Sequence, residues 1–335
     1  MKYHAFGKTG LRVSAIGVGA QSLGGGLYFR DDAEAIRTLN AAFDAGINFY
    51  DTADHYNHGV SEELIGKIFQ GRRDKVIIAT KVGTRYSPLS RLAQELRPVL
   101  RPVSKWLRPS KIHIHRLRAA QKHGDFSASY LRSALEASLK RLKTDYIDLL
   151  QLHKPPTSVI EEGEFCKTLE QLKTEGKLRF YGVACDHGPT MIDDALLCLK
   201  YPGVSSVQVA LNLVQRQAIA DLLPRAQAHG VAVLARNPRD QGYLTTTGSD
   251  IMAETYEKTS QEVQTRMEQA KRFHFLVRSD RTLAQAALGF LLQVPGVAVV
   301  LPRLYRRPDL AETLGTLQAP SLTLQELEKI AATNV

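Results

Sequence analysis

Short apolar runs alternate along the chain with longer amphipathic segments, and the runs predict β-strands. They are rich in β-branched residues and show little alternation of polar and apolar positions, which is typical of parallel strands buried on both faces. Eight such runs occur: AIGVGA (15–20), INFYDT (47–52), KVIIATK (75–81), YIDLLQLH (146–153), LRFYGVA (178–184), SSVQVAL (205–211), VAVLAR (231–236) and VAVVL (297–301). The pattern therefore predicts a parallel sheet of eight buried strands.

Helices are predicted between the strands from capping residues and stop signals. Acidic or hydroxyl side chains can cap a helix N-terminus, and glycine commonly follows a helix C-terminus. The expected caps are Asp31 with Asp32, Ser61, and Ser127 or Ser129, and the expected stops are Gly46, Gly176 and Gly230. Eight strands with at least seven interleaved helices predict an α/β fold, a (β/α)8 TIM barrel with an N-terminal β-hairpin, as a single domain over residues 1–335.

A doubly wound sheet is the alternative fold for this order of elements. Such a sheet usually shows a G-x-G-x-x-G fingerprint after its first strand. The chain has GGGL at 24–27, which does not match, and no strand-fingerprint-helix unit. The barrel is therefore the favoured fold.

Composition places the chain among soluble globular proteins. Of 335 residues, 44% are hydrophobic and 23% charged, so a large core can form and extensive disorder is not expected. Three cysteines argue against a disulfide framework, and no apolar run follows the N-terminal basic residues as in a signal peptide. The apolar stretch 283–301 is interrupted by Gln293, Pro295 and Gly296, so we interpret it as helix, turn and strand. A cytoplasmic protein is expected.

The positive charge is concentrated in one segment, residues 84–125. The whole chain has a formal net charge of +10, and this segment alone carries ten basic and two acidic residues. Because the remainder is close to neutral, the charge does not indicate nucleic-acid binding by the whole chain, and no nucleic-acid partner is expected.

The same segment is amphipathic, and together with residues 242–281 it is too long for an ordinary barrel loop. Both segments are expected at the C-terminal face of the barrel, where active sites lie. Apolar residues recur in the basic segment at three- and four-residue spacing: Leu89, Leu92, Leu96, Val99, Leu100, Val103, Trp106 and Leu107. Three roles stay open: a lid over an anionic or lipidic substrate, a surface for an anionic membrane or partner protein, or leucines packed on the barrel.

Four candidate catalytic residues lie at the ends of three predicted strands. Asp51 and Tyr56 follow the second strand, Lys81 ends the third, and His153 ends the fourth. A lysine beside a tyrosine favours the phenolate, and a carboxylate can hold that lysine in place. Such a tyrosine can protonate a carbonyl oxygen while hydride reaches the carbon, and an imidazole can orient the same oxygen. A purely structural Asp51–Lys81 ion pair is the alternative interpretation.

The sequence around these residues resembles the aldo-keto reductase family. The family signature is similar to D-T-A-x-x-Y-x-x-G-x-S-E, and this chain reads DTADHYNHGVSE at 51–62. The likeness continues through ATK (79–81), TDYIDLLQLH (144–153), GKLRFYGVA (176–184) and VQVALNL (207–213). The resemblance implies a β/α barrel that binds NADPH at its C-terminal end and reduces small-molecule aldehydes or ketones. It implies that Tyr56 is the acid, that Lys81 and Asp51 tune it, and that His153 orients the substrate.

The chain departs from the family pattern where the nicotinamide would bind. The family usually shows G-[VL]-S-N after the fifth strand, whereas Ala184 and Cys185 occupy the two polar positions here. Gln208 matches the family's amide-holding glutamine. An aromatic residue often stacks on the nicotinamide, but this chain has Arg236, followed by Asn237 and Pro238. Because a guanidinium would repel an oxidised, cationic nicotinamide, we expect Arg236 to favour the reduced cofactor and the reductive direction.

The segment that would bind the adenosine phosphate is altered too. The family pattern is similar to I-P-G-x-[SK]-x-x-x-Q-x-x-E-N, and this chain retains Glu312 but has Arg303, Asp309 and Thr313 at the Gly, Gln and Asn positions. Three arginines, Arg303, Arg306 and Arg307, could bind a 2′-phosphate, so NADP is favoured over NAD. The alternative is that these arginines are a solvated helix start.

Two further alternatives concern other residues and the function as a whole. His55 and His58 form an H-x-x-H pair without a further ligand pattern, so they are expected to be solvated or substrate-facing, and no metal site is predicted. The rival function is a partner-binding or nucleotide-sensing protein on the same fold, as in the potassium-channel β subunits of this family. The intact four-residue constellation favours the enzyme.

Overall fold

The computed structural model describes residues 1–23, 32–86, 122–245 and 260–334. The strands are β1 (Tyr3–Ala5), β2 (Arg12–Ser14), β3 (Val18–Gly19), β4 (Phe49–Asp51), β5 (Ile77–Val82), β6 (Thr84–Tyr86), β7 (Lys122–Gly124), β8 (Ile147–His153), β9 (Leu178–Ala184), β10 (Val204–Ala210), β11 (Ala232–Arg236) and β12 (Val297–Leu301). Eight of them pair in parallel in the order β3-β4-β5-β8-β9-β10-β11-β12. All eight predicted strands are present, and the predicted barrel is confirmed.

The barrel is closed where β3 meets β12, through two isolated bridges. Ile16 pairs with Val300, and Gly19 pairs with Arg303. The amide of Gly19 donates to the carbonyl of Pro302 at 2.8 Å, and a Cβ on Gly19 would lie 2.9 Å from that oxygen. A side chain at position 19 would therefore force the two edges of the barrel apart.

Helices cover the outside of the barrel, as the sequence predicts. They are α1 (Asp32–Asp44), α2 (Val60–Phe69), α3 (Ala128–Leu142), α4 (Thr157–Glu162), α5 (Glu164–Thr174), α6 (Met191–Cys198), α7 (Gln217–Asp221), α8 (Leu223–His229), α9 (Ser260–Lys271), α10 (Leu283–Gln293), α11 (Arg307–Gly315) and α12 (Leu324–Ala332). Stretch 283–301 is helix, turn and strand, and none of the described helices is long and apolar enough to cross a membrane.

The capping predictions are confirmed at one serine and wrong at another. Ser127 caps α3, because its side chain accepts a hydrogen bond from the amide of Tyr130. Ser61 does not cap α2, which begins at Val60 after the left-handed Gly59. Gly46, Gly176 and Gly230 have positive φ angles beyond their helices, as expected of C-terminal stops. Asp31 lies outside the described residues.

Two antiparallel hairpins are added to the barrel. The predicted N-terminal hairpin is β1–β2, and it covers the end of the barrel at which the strands begin, where Phe6 packs on Phe49 with ring centroids 5.7 Å apart. The second hairpin, β6–β7, joins the two described ends of the basic segment and was not predicted. The roles considered for that segment depend on residues 87–121, which lie outside the described residues. Because the N-terminal hairpin covers one end, a site is expected at the other end, which is formed by the carboxyl ends of the strands.

Candidate active site

Lys81 and Asp51 form a buried ion pair at the carboxyl ends of β5 and β4. The Lys81 Nζ lies 2.5 Å from Oδ2 of Asp51 and donates to the carbonyl of Thr52 at 2.8 Å. Lys81 is 1% exposed and Asp51 is 5% exposed. Burial lowers the pKa of Lys81, but the Asp51 carboxylate and Tyr56 outweigh burial, so the pKa is raised overall. Lys81 therefore keeps its positive charge inside the barrel.

Two glutamines hold the second oxygen of the Asp51 carboxylate. The Nε2 of Gln151 donates to Asp51 Oδ1 at 3.1 Å, and the Nε2 of Gln208 donates to the same oxygen at 3.2 Å. Gln208 therefore orients the carboxylate, and its role in holding a nicotinamide amide stays a prediction. Gln151 was missed, although it lies two residues before His153 on β8 and so shares its face of the strand.

Tyr56 lies beside the ion pair, at the start of the 3-10 turn Tyr56–Gly59. The Lys81 Nζ is 5.1 Å from the centroid of the Tyr56 ring. Burial raises the pKa of Tyr56, Lys81 lowers it, and Asp51 raises it again, with a raised pKa as the net result. Lys81 acts in the expected direction, but burial outweighs it. Tyr56 is therefore protonated at neutral pH, with a hydroxyl proton to donate.

His153 completes the predicted group of four from the end of β8. Its ring lies edge-on to Tyr56, with centroids 6.2 Å apart and an interplanar angle of 88°. Burial lowers the pKa of His153 well below its usual value, and the charges of Lys81 and Arg236 act in the same direction. The imidazole is therefore neutral, and its Nδ1 has no hydrogen-bond partner among the described residues.

Asp54 and His55 form a second layer against His153. The His55 ring stacks on the His153 ring, with centroids 4.5 Å apart and an interplanar angle of 25°. The Nδ1 of His55 lies 3.3 Å from Oδ1 of Asp54. Burial raises the pKa of Asp54 to about 7, although Arg141 and other contacts lower it. The sequence interpretation of His55 as solvated or substrate-facing leaves out this contact with His153.

The end of the signature, Ser61-Glu62, supports the site without entering it. The Ser61 hydroxyl donates to the carbonyl of Ala20 at 3.0 Å and lies 2.8 Å from the Thr52 hydroxyl. Glu62 is buried, and its carboxylate accepts from the Thr80 hydroxyl and from Arg141, both at 2.6 Å. These contacts join α2 to the strand ends that carry Asp51 and Lys81.

The candidate nicotinamide residues surround the end of β9. The backbone carbonyl of Cys185 accepts a hydrogen bond from Arg236, whereas the Cys185 side chain is buried. The Ala184 carbonyl is already bound by the amide of Lys154 at 2.8 Å. Arg236 is half-buried, and its Nε has no partner among the described residues. A guanidinium edge, rather than the Cys185 thiol, is thus the polar group available here.

The residues that follow Arg236 leave the end of strand β11 through backbone with positive φ angles. Pro238 is buried, and Asn237 lies 3.3 Å from the ring of His187 through its side-chain nitrogen. Left-handed backbone in residues other than glycine is unfavourable and concentrates at functional sites. Six of the seven such residues described follow strand ends at this face: Asn57, His58, Lys154, Asn237, Asp240 and Gln241.

The candidate phosphate residues divide into two groups around α11. Glu312 and Thr313 face Arg239, a buried arginine missed in the sequence: Thr313 accepts a hydrogen bond from it, and a Glu312 oxygen lies 3.9 Å away. Arg306 instead binds both oxygens of Asp309, at 2.9 and 3.1 Å, while its side chain remains 41% exposed. Arg303 is half-buried at the closure of the barrel. Arg303 and Arg306 are thus partly accessible, whereas Asp309, Glu312 and Thr313 mainly hold arginines in place.

Comparisons with known proteins agree with the barrel fold. The sequence profile of the aldo/keto reductase family matches residues 15–335. The uncharacterized oxidoreductase YqkF of Bacillus subtilis (strain 168) is 29% identical over 334 residues, which cover 98% of this chain and 95% of that protein. The NADH-specific methylglyoxal reductase of Escherichia coli (strain K12) is 29% identical over 253 residues, 74% of this chain and 70% of that one. The holo form of aldo-keto reductase AKR11C1 from Bacillus halodurans superposes with a TM-score of 0.76 at 29% identity, over 99% of this chain and 95% of that chain.

Proposed function

This chain belongs to the aldo/keto reductase family, and on that premise we propose that it reduces an aldehyde or ketone to an alcohol with NADPH, with Tyr56 as the proton donor. Membership of the family makes it an oxidoreductase of small carbonyl compounds with a nicotinamide cofactor. The proton donor, the direction of reaction and the preference for NADPH are the proposal. It is carried by one observation, the position of Tyr56 beside the buried Lys81–Asp51 pair and edge-on to His153.

The four side chains have different roles in protonating and orienting the carbonyl oxygen. A bound reduced nicotinamide supplies the hydride that the carbonyl carbon accepts. Tyr56 transfers its hydroxyl proton to the oxygen, and the resulting phenolate is stabilised by the Lys81 cation. His153, being neutral, can donate an N–H to the same oxygen without adding charge. Asp51 holds Lys81 in place through its Oδ2 and is itself held by Gln151 and Gln208.

The arginines of the C-terminal segment fit a phosphorylated dinucleotide. Arg306 and Arg303 offer planar guanidinium groups near the N-terminus of α11, a helix of nine residues, where anions are favoured. At the other end, the buried Nε of Arg236 has no partner among the described residues and can serve a bound ligand. The NADH specificity of the Escherichia coli relative makes the phosphate preference a point to measure.

Binding and turnover of the same purified protein test the proposal. The affinities for NADPH and NADH are measured by nicotinamide fluorescence, and reduction is followed with methylglyoxal and 4-nitrobenzaldehyde. We expect tighter binding of NADPH than of NADH. We also expect Tyr56→Phe to lower kcat by about 10²–10⁴-fold while nucleotide affinity is retained.

The opposite outcomes are distinct. A Tyr56→Phe variant that turns over like the wild type contradicts the assignment of the proton donor. Equal affinity for both nucleotides contradicts the phosphate preference. A wild-type protein that binds neither nucleotide contradicts the enzyme as a whole and favours the partner-binding alternative.

A further inference from the structure

We propose that His55, held by Asp54, is a positioning residue for His153, whose ring it keeps in one orientation toward the substrate oxygen. The inference rests on the proposed function, because His153 acts on an oxygen only if the site reduces a carbonyl. It gives a role to Asp54 and His55, two residues of the signature that lie outside the four predicted catalytic residues.

His153 needs such support because no hydrogen bond from the described residues fixes its Nδ1. In active sites the orientation of a histidine is usually set by a bond from the ring nitrogen that faces away from the reacting atom. The Nδ1 of His153 is buried and has no partner in the described part of the chain. Ring contacts must therefore determine the orientation of the imidazole.

His55 supplies the most parallel of these contacts. Its ring lies over the His153 ring at 4.5 Å with an interplanar angle of 25°, whereas Tyr56 approaches the His153 ring edge-on at 6.2 Å. His55 also contacts Tyr56 edge-on at 4.8 Å. One imidazole therefore touches both residues that act on the carbonyl oxygen in the proposed reaction, and loss of its ring face would free His153 to turn.

Asp54 fixes His55 in turn, and three elements fix Asp54. Its Oδ1 lies 3.3 Å from Nδ1 of His55, and its Oδ2 lies 3.4 Å from the Tyr130 hydroxyl of α3. Its amide donates to the carbonyl of Lys81 on β5 at 3.0 Å, and Tyr130 also donates to the carbonyl of Thr84 on β6 at 2.9 Å. The position of His55 is thus set by Asp54, which is connected to β5 directly and to the first strand of the β6–β7 hairpin through Tyr130.

Two substitutions of His55 separate the ring face from the ring nitrogen. Phenylalanine keeps the stacking surface and loses the bond to Asp54, whereas alanine loses both. We expect His55→Ala to lower kcat for 4-nitrobenzaldehyde reduction by about 10- to 100-fold, with KM and the NADPH affinity nearly unchanged, because a small displacement of a reacting group has an effect of this size. His55→Phe should recover most of that loss. His229→Ala, at the exposed end of α8, is the matched control and should behave as the wild type.

A magnetic-resonance measurement tests the positioning without turnover. With 13C-labelled histidine, the His153 ring signal, assigned by its loss in His153→Asn, should show exchange broadening from ring motion in His55→Ala and none in His55→Phe. A shift without broadening is not counted, because either substitution changes the ring current at His153. A His153 signal in His55→Ala as narrow as in the wild type overturns the inference, even if the wild type reduces none of the carbonyls and the proposed function itself fails. Equal losses of kcat in His55→Ala and His55→Phe, with both variants folded and binding NADPH, would also overturn it.

Discussion

The side-chain amide of Gln208 donates to Oδ1 of Asp51 across 3.2 Å and so joins strand β10 to strand β4. Gln151 donates to the same oxygen from β8, and Lys81 occupies the other oxygen from β5. The Asp51 carboxylate therefore joins its own strand, β4, to side chains from three others, β5, β8 and β10. Its contacts explain why a charged pair can lie in the interior, because both oxygens are hydrogen-bonded.

Removing the cation of this pair should destabilise the fold. In Lys81→Met the Asp51 carboxylate remains buried without its counter-charge, so we expect a loss of about 3 kcal/mol in the free energy of unfolding. Urea denaturation near neutral pH measures it. Adding Asp51→Asn to the same protein should restore part of the loss, since the neutral amide tolerates burial. Unchanged stability in the single variant would contradict the buried pair.

The stability of the protein should depend on pH through Asp54. Burial raises its pKa to about 7, above a value of about 3.9 in an unfolded chain. The folded protein therefore binds the proton more tightly, and the stability this gives is complete below about pH 4 and is lost as the pH rises through about 7. We expect Asp54→Asn to be more stable than the wild type by on the order of 2 kcal/mol at about pH 8, and not at about pH 4.

Thermal unfolding of both proteins across this range measures the effect. A stability difference that is the same at both ends of the range would show that folding does not raise the pKa of Asp54. Asp74→Asn, at the exposed turn before β5, serves as the control for removing a carboxylate.

The ion pair between Arg306 and Asp309 should compete with the phosphate of NADPH. Arg306→Ala should weaken NADPH binding by about tenfold and leave NADH nearly unchanged, because only the former presents a 2′-phosphate to the guanidinium. Asp309→Asn should act in the opposite direction by releasing Arg306. Fluorescence titration measures both, with Arg132→Ala, on the outer face of α3, as the arginine control. Parallel losses for both nucleotides in Arg306→Ala would contradict a phosphate contact.

Arg236 should make the protein discriminate between the oxidation states of the cofactor. Its guanidinium is half-buried next to Tyr56 and the end of β9, and an oxidised nicotinamide would add a second positive charge there. We expect Arg236→Tyr to bind NADP more tightly relative to NADPH than the wild type does. Affinities for the two forms, measured on both proteins, give the ratio, and an unchanged ratio would contradict this role.

The barrel could be predicted because its strands are buried on both faces and therefore appear as uninterrupted apolar runs. Ser61 was misassigned because a serine before two glutamates matches a capping pattern, while its burial between Ala20 and Thr52 depends on Ala20, which lies 41 residues away in the chain. The β6–β7 hairpin was missed because its pairing spans the long basic segment. Contacts between distant segments leave no local pattern.

The site was predictable to the extent that its residues follow strand ends. That rule found Asp51, Tyr56, Lys81 and His153, which the structure brings together. It did not find Arg239, whose burial against Thr313 depends on how α11 packs. Nor could it show that burial raises the pKa of Tyr56 more than Lys81 lowers it. That balance depends on how completely the folded protein encloses the phenol.

The barrel is closed between β3 and β12 by two isolated bridges. β3 contributes two residues to the sheet, and one of the two closing bridges belongs to Arg303. A dinucleotide bound by Arg303 would add contacts at this closure and so stabilise the pairing of β3 with β12. Resistance to heat and to proteases should therefore rise with nucleotide concentration. Such protection would report occupancy of the site before any substrate has been identified.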